Sequence, residues 1–229
     1  MPRIISIETS TELCSVALSE NGRITAYRES DTPRAHASMT AKFIKDILDE
    51  GGLALSDCDA VCVSMGPGSY TGLRVGVSTA KGLCFGGKLP LLAVSTPEIL
   101  VWQAIRENMI PEGCRYIIPM IDARRMEAYT AIYDTSAARI RKTEPEIITE
   151  DSFREYLDLG PVLFIGDAAG KCSKVISNPA ATFAECCPKA SSMVTPAEKE
   201  YADRNFRDTA YFEPFYLKEF VATVSKKKI

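Results

Sequence analysis

The stretch from residue 60 to residue 85 constrains the fold most, because it predicts a buried strand, a tight turn and a long helix in direct succession. Its first residues, AVCV, form a nearly continuous apolar run, as in strands that are covered on both faces. The GPG tripeptide at residues 66–68 predicts a type II turn with positive φ at Gly68. The helix that follows begins near Ser69 or Thr71, whose hydroxyl groups can cap it.

Small residues recur at every fourth position of this helix, at Gly72, Gly76 and Ala80. A glycine inside a helix costs roughly 1 kcal/mol relative to alanine, so the stripe predicts close approach of another backbone. The spacing leaves open whether that backbone belongs to this chain's own sheet or to another protein.

A glycine-rich turn before a helix N-terminus is also where phosphates bind, because free backbone amides converge there. The glycine spacing at residues 66–72 matches neither the P-loop nor the dinucleotide-binding pattern. The turn is therefore interpreted as structural rather than as a nucleotide cradle.

Metal-ligating residues are not grouped in the sequence. The chain has eight cysteines but no C-x-x-C pair, and Cys14, Cys62 and Cys84 lie in apolar patterns typical of buried side chains. His36 is the only histidine, so a pair of imidazole ligands is absent. No metal site is predicted.

The charge and hydropathy patterns constrain partners and location. The net charge is −3, and basic residues are thinly spread apart from the lysines at 226–228, which argues against an RNA-binding module acting alone. No stretch approaches the roughly 20 apolar residues of a membrane span, and the N-terminus has polar residues too early for a secretory signal. A cytoplasmic protein with no membrane partner is predicted.

The N-terminal segment predicts three strands joined in a meander. A strand at residues 4–7 ends in Glu-Thr-Ser-Thr, which we call the acid–hydroxyl loop (residues 8–11). Strands at residues 14–18 and 23–29 follow, joined by an Asn-Gly turn. Actin-like, Hsp70-like and sugar-kinase folds begin in a similar way, and there the loop handles phosphate or its metal.

The second half of the chain repeats the pattern of the first. The run Ile-Ile-Pro-Met-Ile-Asp that ends at Asp122 parallels the run that ends at Glu8, and an apolar strand follows each acid after the same interval. A boundary in residues 107–113 predicts an N-terminal domain at 1–106 and a smaller C-terminal domain at 107–229.

One alternative is a small actin-like ATP-dependent kinase or hydrolase. Facing acids at Glu8 and Asp122, with Thr9 and Ser10 beside the first, could position Mg²⁺ and a phosphoryl acceptor. The simpler interpretation is that each acid caps a strand-to-strand turn. The candidate adenosine loop at residues 166–170 has only two glycines, which favours the simpler interpretation.

The run GPGSYTGLRVG followed by STAKGL resembles the signature of the bacterial TsaB (YeaZ) family, relatives of the TsaD/Kae1 proteins. IETSTELCSVAL, IDARRMEAYTAIY and FEPFYLK are similar to further segments of that family, in the same order. Two positions depart from its pattern: Glu8 replaces a frequent aspartate, and Lys218 replaces an arginine.

The resemblance implies an α/β actin-like ATPase (ASKHA) fold of two ribonuclease-H-like domains, the second abridged. It implies a noncatalytic subunit that supports a TsaD-type enzyme in transferring threonylcarbamoyl to N6 of adenosine 37 of ANN-decoding tRNAs. A TsaE-type ATPase would be the third member, and tRNA would be held indirectly through the complex. The chain would carry no cofactor of its own, with ATP or ADP expected only at a complex interface. The histidine pair of TsaD relatives is missing, since Thr40 stands four residues after His36.

In this family the first two helices of the N-terminal domain contact TsaD, and by position these are residues 36–49 and 71–85. A chain purified alone is expected to pair with itself through the same surface. The interface residues implied are His36, Met39, Thr40, Phe43, Ile47, Thr71, Gly72, Leu73, Arg74, Gly76, Val77, Ala80 and Lys81.

Overall fold

Two five-stranded sheets with the same strand order form the framework of the described part of the protein. The structure, a computed structural model, describes residues 2–217, so Lys218 and the lysines at 226–228 lie outside the described residues. Within residues 2–217, no helix combines the length and hydropathy needed to cross a lipid bilayer.

The first sheet contains β1 (Arg3–Glu8), β2 (Cys14–Glu20), β3 (Arg23–Ser30), β4 (Ala60–Ser64) and β5 (Leu91–Val94). The second contains β6 (Tyr116–Asp122), β7 (Glu127–Asp134), β8 (Arg139–Ile147), β9 (Val162–Ile165) and β10 (Ala181–Ala184). The helices are α1 (His36–Glu50), α2 (Tyr70–Gly87), α3 (Thr96–Arg106), α4 (Arg154–Leu157), α5 (Ala169–Cys172) and α6 (Val194–Ala202).

The predicted duplication is confirmed by the topology. The first sheet has the order β3-β2-β1-β4-β5, and the second has the equivalent order β8-β7-β6-β9-β10. In both, the opening strand is antiparallel to the second and parallel to the fourth. The second half is abridged, because α4 and α5 have 4 residues each where α1 and α2 have 15 and 18. The two ribonuclease-H-like halves of an actin-like ATPase fold are therefore present.

The two faces of the first sheet are covered by different parts of the chain. Successive β1 residues point to opposite faces, so Ile5 and Ile7 pack with Phe43 of α1 and Val77 of α2. Ile4 points to the other face. Each face needs its own apolar cover.

That second cover comes from the C-terminal part of the chain. Ala190, Met193 and Ala197 are fully buried and pack with Ile4 and Cys62 of the first sheet. The structure thus differs from the sequence division at residue 107, which assigned these residues to the second domain. The face of the first sheet opposite α1 and α2 is apolar, and residues 190–202 bury it.

The turn between β4 and α2 differs from the predicted type II turn. Gly66 has φ +97° and its peptide bond to Pro67 is cis, whereas Gly68 is not in the left-handed region. Gly68 is required for space instead, because a Cβ there would lie 2.2 Å from the carbonyl oxygen of Ser10. Ser69 is the N-cap of α2, and its side chain accepts a hydrogen bond from the amide of Gly72 at 3.3 Å.

The small-residue stripe of α2 packs on this chain's own acid–hydroxyl loop. A Cβ on Gly72 would lie 2.0 Å from the carbonyl oxygen of Thr9, and one on Gly76 would lie 2.3 Å from Thr9 Oγ1. Ala80, the third member, is fully buried. The backbone that approaches the stripe therefore belongs to this chain and not to another protein.

Replacing a glycine of α2 with alanine should have opposite effects on stability at positions 76 and 82. We expect Gly76→Ala to lower the free energy of unfolding by about 1–3 kcal/mol, because the added methyl group overlaps Thr9. We expect Gly82→Ala to raise it by up to about 1 kcal/mol, because nothing lies within 4 Å of a Cβ there. Urea unfolding of the two variants measures both changes. Equal stability of Gly76→Ala and the wild type would contradict the close packing.

Candidate functional site

The acid–hydroxyl loop is buried at the carboxyl end of β1. Glu8, Thr9 and Ser10 have no exposed surface, and Thr11 is 5% exposed. Oε1 of Glu8 accepts a hydrogen bond from the amide of Ser10 at 2.5 Å, whereas Oε2 has no hydrogen-bond partner among the described residues. The carboxyl group is therefore out of contact with solvent.

Burial changes the acidity of Glu8. Desolvation raises the pKa of its carboxyl group from 4.5 to about 7, although hydrogen bonds from Ser10, Ser64 and Thr9 lower it in part. The protonated form of Glu8 is thus substantially populated near neutral pH.

Three successive residues of the loop bind the two helices that follow it. Thr9 Oγ1 donates to the carbonyl oxygen of Gly72 at 2.8 Å. The carbonyl oxygen of Ser10 accepts from the amide of Ser69 at 2.6 Å. The carbonyl oxygen of Thr11 accepts from Nε2 of His36 at 2.9 Å. The loop thereby connects β1 to the N-terminal ends of both α1 and α2.

The second acid, Asp122, is exposed at the end of β6 and paired within its own half. Its carboxylate forms an ion pair with Lys171, whose ammonium group also donates to the carbonyl oxygens of Arg125 at 2.8 Å and Glu127 at 2.6 Å. The Asp122 amide donates to Oδ1 of Asp167 at 2.9 Å. Burial raises the pKa of Asp167 to about 6.

Both acids have the geometry of turn-capping side chains. Glu8 accepts from the amide of Ser10, and Asp122 accepts from the amide of Arg124 at 3.2 Å, in each case two residues further along the chain. Such local hydrogen bonds are typical of acidic residues that begin turns. The geometry supports the simpler of the two interpretations that the sequence left open.

The loop at residues 166–170 does not fit the phosphates of a nucleotide. A Cβ on Gly166 would lie 2.2 Å from the carbonyl oxygen of Met120, and one on Gly170 would lie 2.0 Å from Oε2 of Glu185. The space beside both glycines is thus filled by the chain itself, and at Gly170 by a carboxylate that would repel phosphate. Among residues 2–217, no three His, Cys, Asp or Glu side chains are grouped so as to hold a metal ion.

An open groove of about 490 Å³ runs along the first half of α2, and Ala37 of α1 borders it. Its lining residues are Ala37, Tyr70, Thr71, Arg74, Val75, Ser78 and Thr79. The Arg74 guanidinium lies 4.2 Å from the centre of the Tyr70 ring, and the Tyr70 and Tyr216 rings are 5.0 Å apart. A hydrogen bond with Tyr216 raises the pKa of Arg74.

The residues implied as interface divide into a buried and a surface group. The buried group lies in the chain's own core and consists of Thr40, Phe43, Ile47, Gly72, Leu73, Gly76, Val77 and Ala80. The surface group consists of His36, Met39, Thr71, Arg74 and Lys81. Within it, Lys81 donates to the carbonyl oxygens of Ala210 and Phe212 at 2.9 and 3.2 Å, and so holds residues 210–212 against α2.

The sequence analysis named Arg74 on the outward face of α2 but missed Ser78, Gly82 and Phe85 on the same face. Arg74, Ser78, Gly82 and Phe85 are exposed at helical spacing, and the Phe85 side chain is 85% exposed. The sequence contains a signal for this face, because positions 74, 78, 82 and 85 recur at helical spacing and include the small residues Ser78 and Gly82. These positions are offset from Gly72 and Gly76.

Replacing Glu8 with glutamine should change how stability depends on pH. Between about pH 4.5 and pH 7, folded Glu8 keeps a proton that the unfolded chain has released, so wild-type stability falls as pH rises. The total loss is on the order of 3 kcal/mol. Glu8→Gln does not titrate, so its stability relative to the wild type should increase from about pH 5 to about pH 8. Urea unfolding across this range measures the difference, and a difference independent of pH would contradict the burial of an ionisable Glu8.

Comparison with known proteins identifies the family. A family model described as TsaD, tRNA N6-adenosine threonylcarbamoyltransferase, matches residues 30–223. The chain is 33% identical to the tRNA threonylcarbamoyladenosine biosynthesis protein TsaB of Escherichia coli K12, over 96% of each chain. It is 29% identical to the protein of the same name from Haemophilus influenzae, over 95% of this chain and 94% of the relative.

A solved structure shows the same similarity. The structure titled YeaZ from Pseudomonas aeruginosa superimposes with a TM-score of 0.81 at 29% identity, and the match covers 95% of this chain and all of that one. The family resemblance seen in the GPGSYTGLRVG run is thereby confirmed over nearly the whole chain. The chain belongs to the TsaB (YeaZ) family.

Proposed function

We propose that this chain is a noncatalytic subunit of tRNA threonylcarbamoyladenosine (t6A) synthesis in the cytoplasm. In this role it binds a TsaD-type catalytic subunit and supports transfer of threonylcarbamoyl to N6 of adenosine 37 in ANN-decoding tRNAs. Membership of the TsaB family, whose relatives carry t6A biosynthesis in their names, supports the pathway.

The noncatalytic role is supported by one observation: the polar groups around Glu8, around Asp122 and at residues 166–170 contact other atoms of this chain. Glu8 is buried, Asp122 is paired with Lys171, and the glycines at residues 166–170 pack against the chain's own atoms. A phosphoryl-transfer enzyme needs these groups free to hold Mg²⁺ and phosphate. The same observation argues against the alternative of a kinase or hydrolase that uses Glu8 and Asp122.

The partner surface that we propose is the exposed face of α1 and α2 around the groove. Ala37, Ser78 and Gly82 leave the two helices thinly covered there, so another helix could approach closely, while Phe85 projects into solvent. In the isolated protein, a second copy of this chain would occupy the same face.

The family resemblance implies the other partners, and the charge of the chain agrees with an indirect contact with tRNA. A net charge of −3 supports tRNA being held by other subunits of the complex. The proposal includes a TsaE-type ATPase as third member. We propose that any ATP or ADP of the complex binds where this chain meets another subunit, and not within this chain.

Reconstitution tests the function directly. Threonylcarbamoylation of tRNA would be measured with a TsaD-type enzyme, a TsaE-type ATPase and the enzyme that supplies the threonylcarbamoyl donor, with this chain present or omitted. We expect omission to abolish modification, and Glu8→Gln and Asp122→Asn to retain at least half of the wild-type rate. Modification that proceeds without the chain would refute the role, and loss of the rate in Asp122→Asn would favour the enzyme alternative.

A bulky residue in the groove should prevent partner binding. Ser78 is exposed and lines the groove, so Ser78→Trp should weaken binding of the TsaD-type subunit at least tenfold without unfolding α2. Ser78→Ala removes the hydroxyl group without adding bulk, and we expect it to bind within about twofold of the wild type. Calorimetric titration with each purified variant measures the affinity, and thermal unfolding verifies the fold. Wild-type affinity in Ser78→Trp would exclude the groove as the interface.

A further inference from the structure

The acid–hydroxyl loop joins the N-terminal ends of α1 and α2 through successive residues. Thr9 and Ser10 bind the start of α2 through Gly72 and Ser69, and Thr11 binds His36 at the start of α1. The three hydrogen bonds are 2.6–2.9 Å long. One rigid loop therefore fixes two helix ends at once.

The start of α1 lacks a side-chain cap of its own. Its N-cap residue, Ala35, has no side chain that can cap the first turn. His36 is the first residue of α1, and a carbonyl oxygen only accepts, so its ring must donate from Nε2 to Thr11. The ring of His36 thus connects the first turn of α1 to the loop.

The start of α2 is held by close packing as well as by hydrogen bonds. Carbonyl oxygens of Ser10 and Thr9 lie 2.2 and 2.0 Å from the Cβ positions of Gly68 and Gly72, so the loop occupies the space of absent side chains. Packed interiors transmit such displacements instead of absorbing them. A shift of the loop would therefore shift the first turn of α2.

The first turns of α1 and α2, which the loop binds, both contribute residues to one end of the groove. Ala37 follows His36 directly, and Tyr70 and Thr71 lie between Ser69 and Gly72, which bind the loop. A displacement of either turn would therefore move residues that line the groove.

We propose that residues 9–11 position the first turns of α1 and α2 for partner binding, and that Thr9 is the central positioning residue. The inference rests on the proposed function, because it assumes that the groove receives the TsaD-type subunit. Thr9 is fully buried and cannot touch that partner, so its contribution acts through the helices.

Removing one hydroxyl group tests the proposal. Thr9→Val keeps the shape of the side chain and removes the donor to Gly72. At a temperature where the variant is fully folded, we expect the dissociation constant for the TsaD-type subunit to rise about three- to tenfold. Thr9→Ser keeps the hydroxyl group and should restore affinity to within about twofold.

A matched variant separates positioning from loss of stability. Thr130 is also fully buried, and its hydroxyl group contacts Glu146 at 3.3 Å in the second half of the chain. Thr130→Val should lower the unfolding temperature without changing the dissociation constant. Equal weakening by Thr130→Val and Thr9→Val would show a general effect of stability and overturn the proposal.

Hydrogen exchange of the isolated chain provides a measurement that needs no partner. Thr9→Val should speed amide exchange in the first turns of α1 and α2 more than Thr130→Val does. If the wild type fails to bind the TsaD-type subunit, the proposed function fails, and the exchange rates alone decide whether the loop positions the helices. Unchanged exchange in both turns would overturn the positioning role.

His36 supplies a second pair of variants should Thr9→Val fail to fold. His36→Leu removes the donor to Thr11, and His36→Gln can still donate from its side-chain amide. We expect faster exchange in the first turn of α1 for His36→Leu and near wild-type exchange for His36→Gln. Equal exchange in the two variants would overturn the proposal.

Discussion

The close contact between the acid–hydroxyl loop and α2 is the constraint on which the N-terminal half depends. Carbonyl oxygens of the loop occupy the space that side chains at Gly68 and Gly72 would fill. The loop continues directly from β1, which pairs with β2 on one side and β4 on the other. The position of the sheet is therefore transmitted to α2 through backbone atoms, which are less adaptable than side chains.

The polar groups at the positions where an actin-like enzyme would hold phosphate and metal contact other atoms of this chain. Glu8 and Asp122 each accept an amide of their own turn, Lys171 neutralises Asp122, and Glu185 lies against Gly170. The hydrogen bonds and the ion pair among these contacts also contribute modestly to the stability of the fold. The outward face of α2, where the Phe85 side chain is exposed, takes no part in these contacts. The proposed scaffold role is consistent with acid loops that bind atoms of their own chain.

Much of the architecture could be predicted, because its signals are local. The apolar runs, the Asn-Gly turn and the helical spacing predict the first three strands, the strand at β4 and the helices α1 and α2, all of which the structure contains. The parallel between Glu8 and Asp122 revealed the duplication, which the two sheet orders confirm. The candidate site was predicted less well. The two helices implied as interface form close to the predicted positions, but residues such as Gly76 lie on their inner face, and the exposed residue Ser78 was missed.

The sequence by itself determined the order of elements, the duplication and the family, because periodicity, turn residues and an unbroken run of glycines are properties of neighbouring residues. Only the tertiary structure decided which stripe of α2 faces the solvent, whether Glu8 is accessible, and that residues 190–202 cover the first sheet. Each of these depends on residues far apart in the chain. Thr9 meets Gly72 across 63 positions, and Ser15 binds the amide of Ala190 across 175. Contacts at such separations leave no periodic trace in the sequence, so they become visible only when the chain is folded.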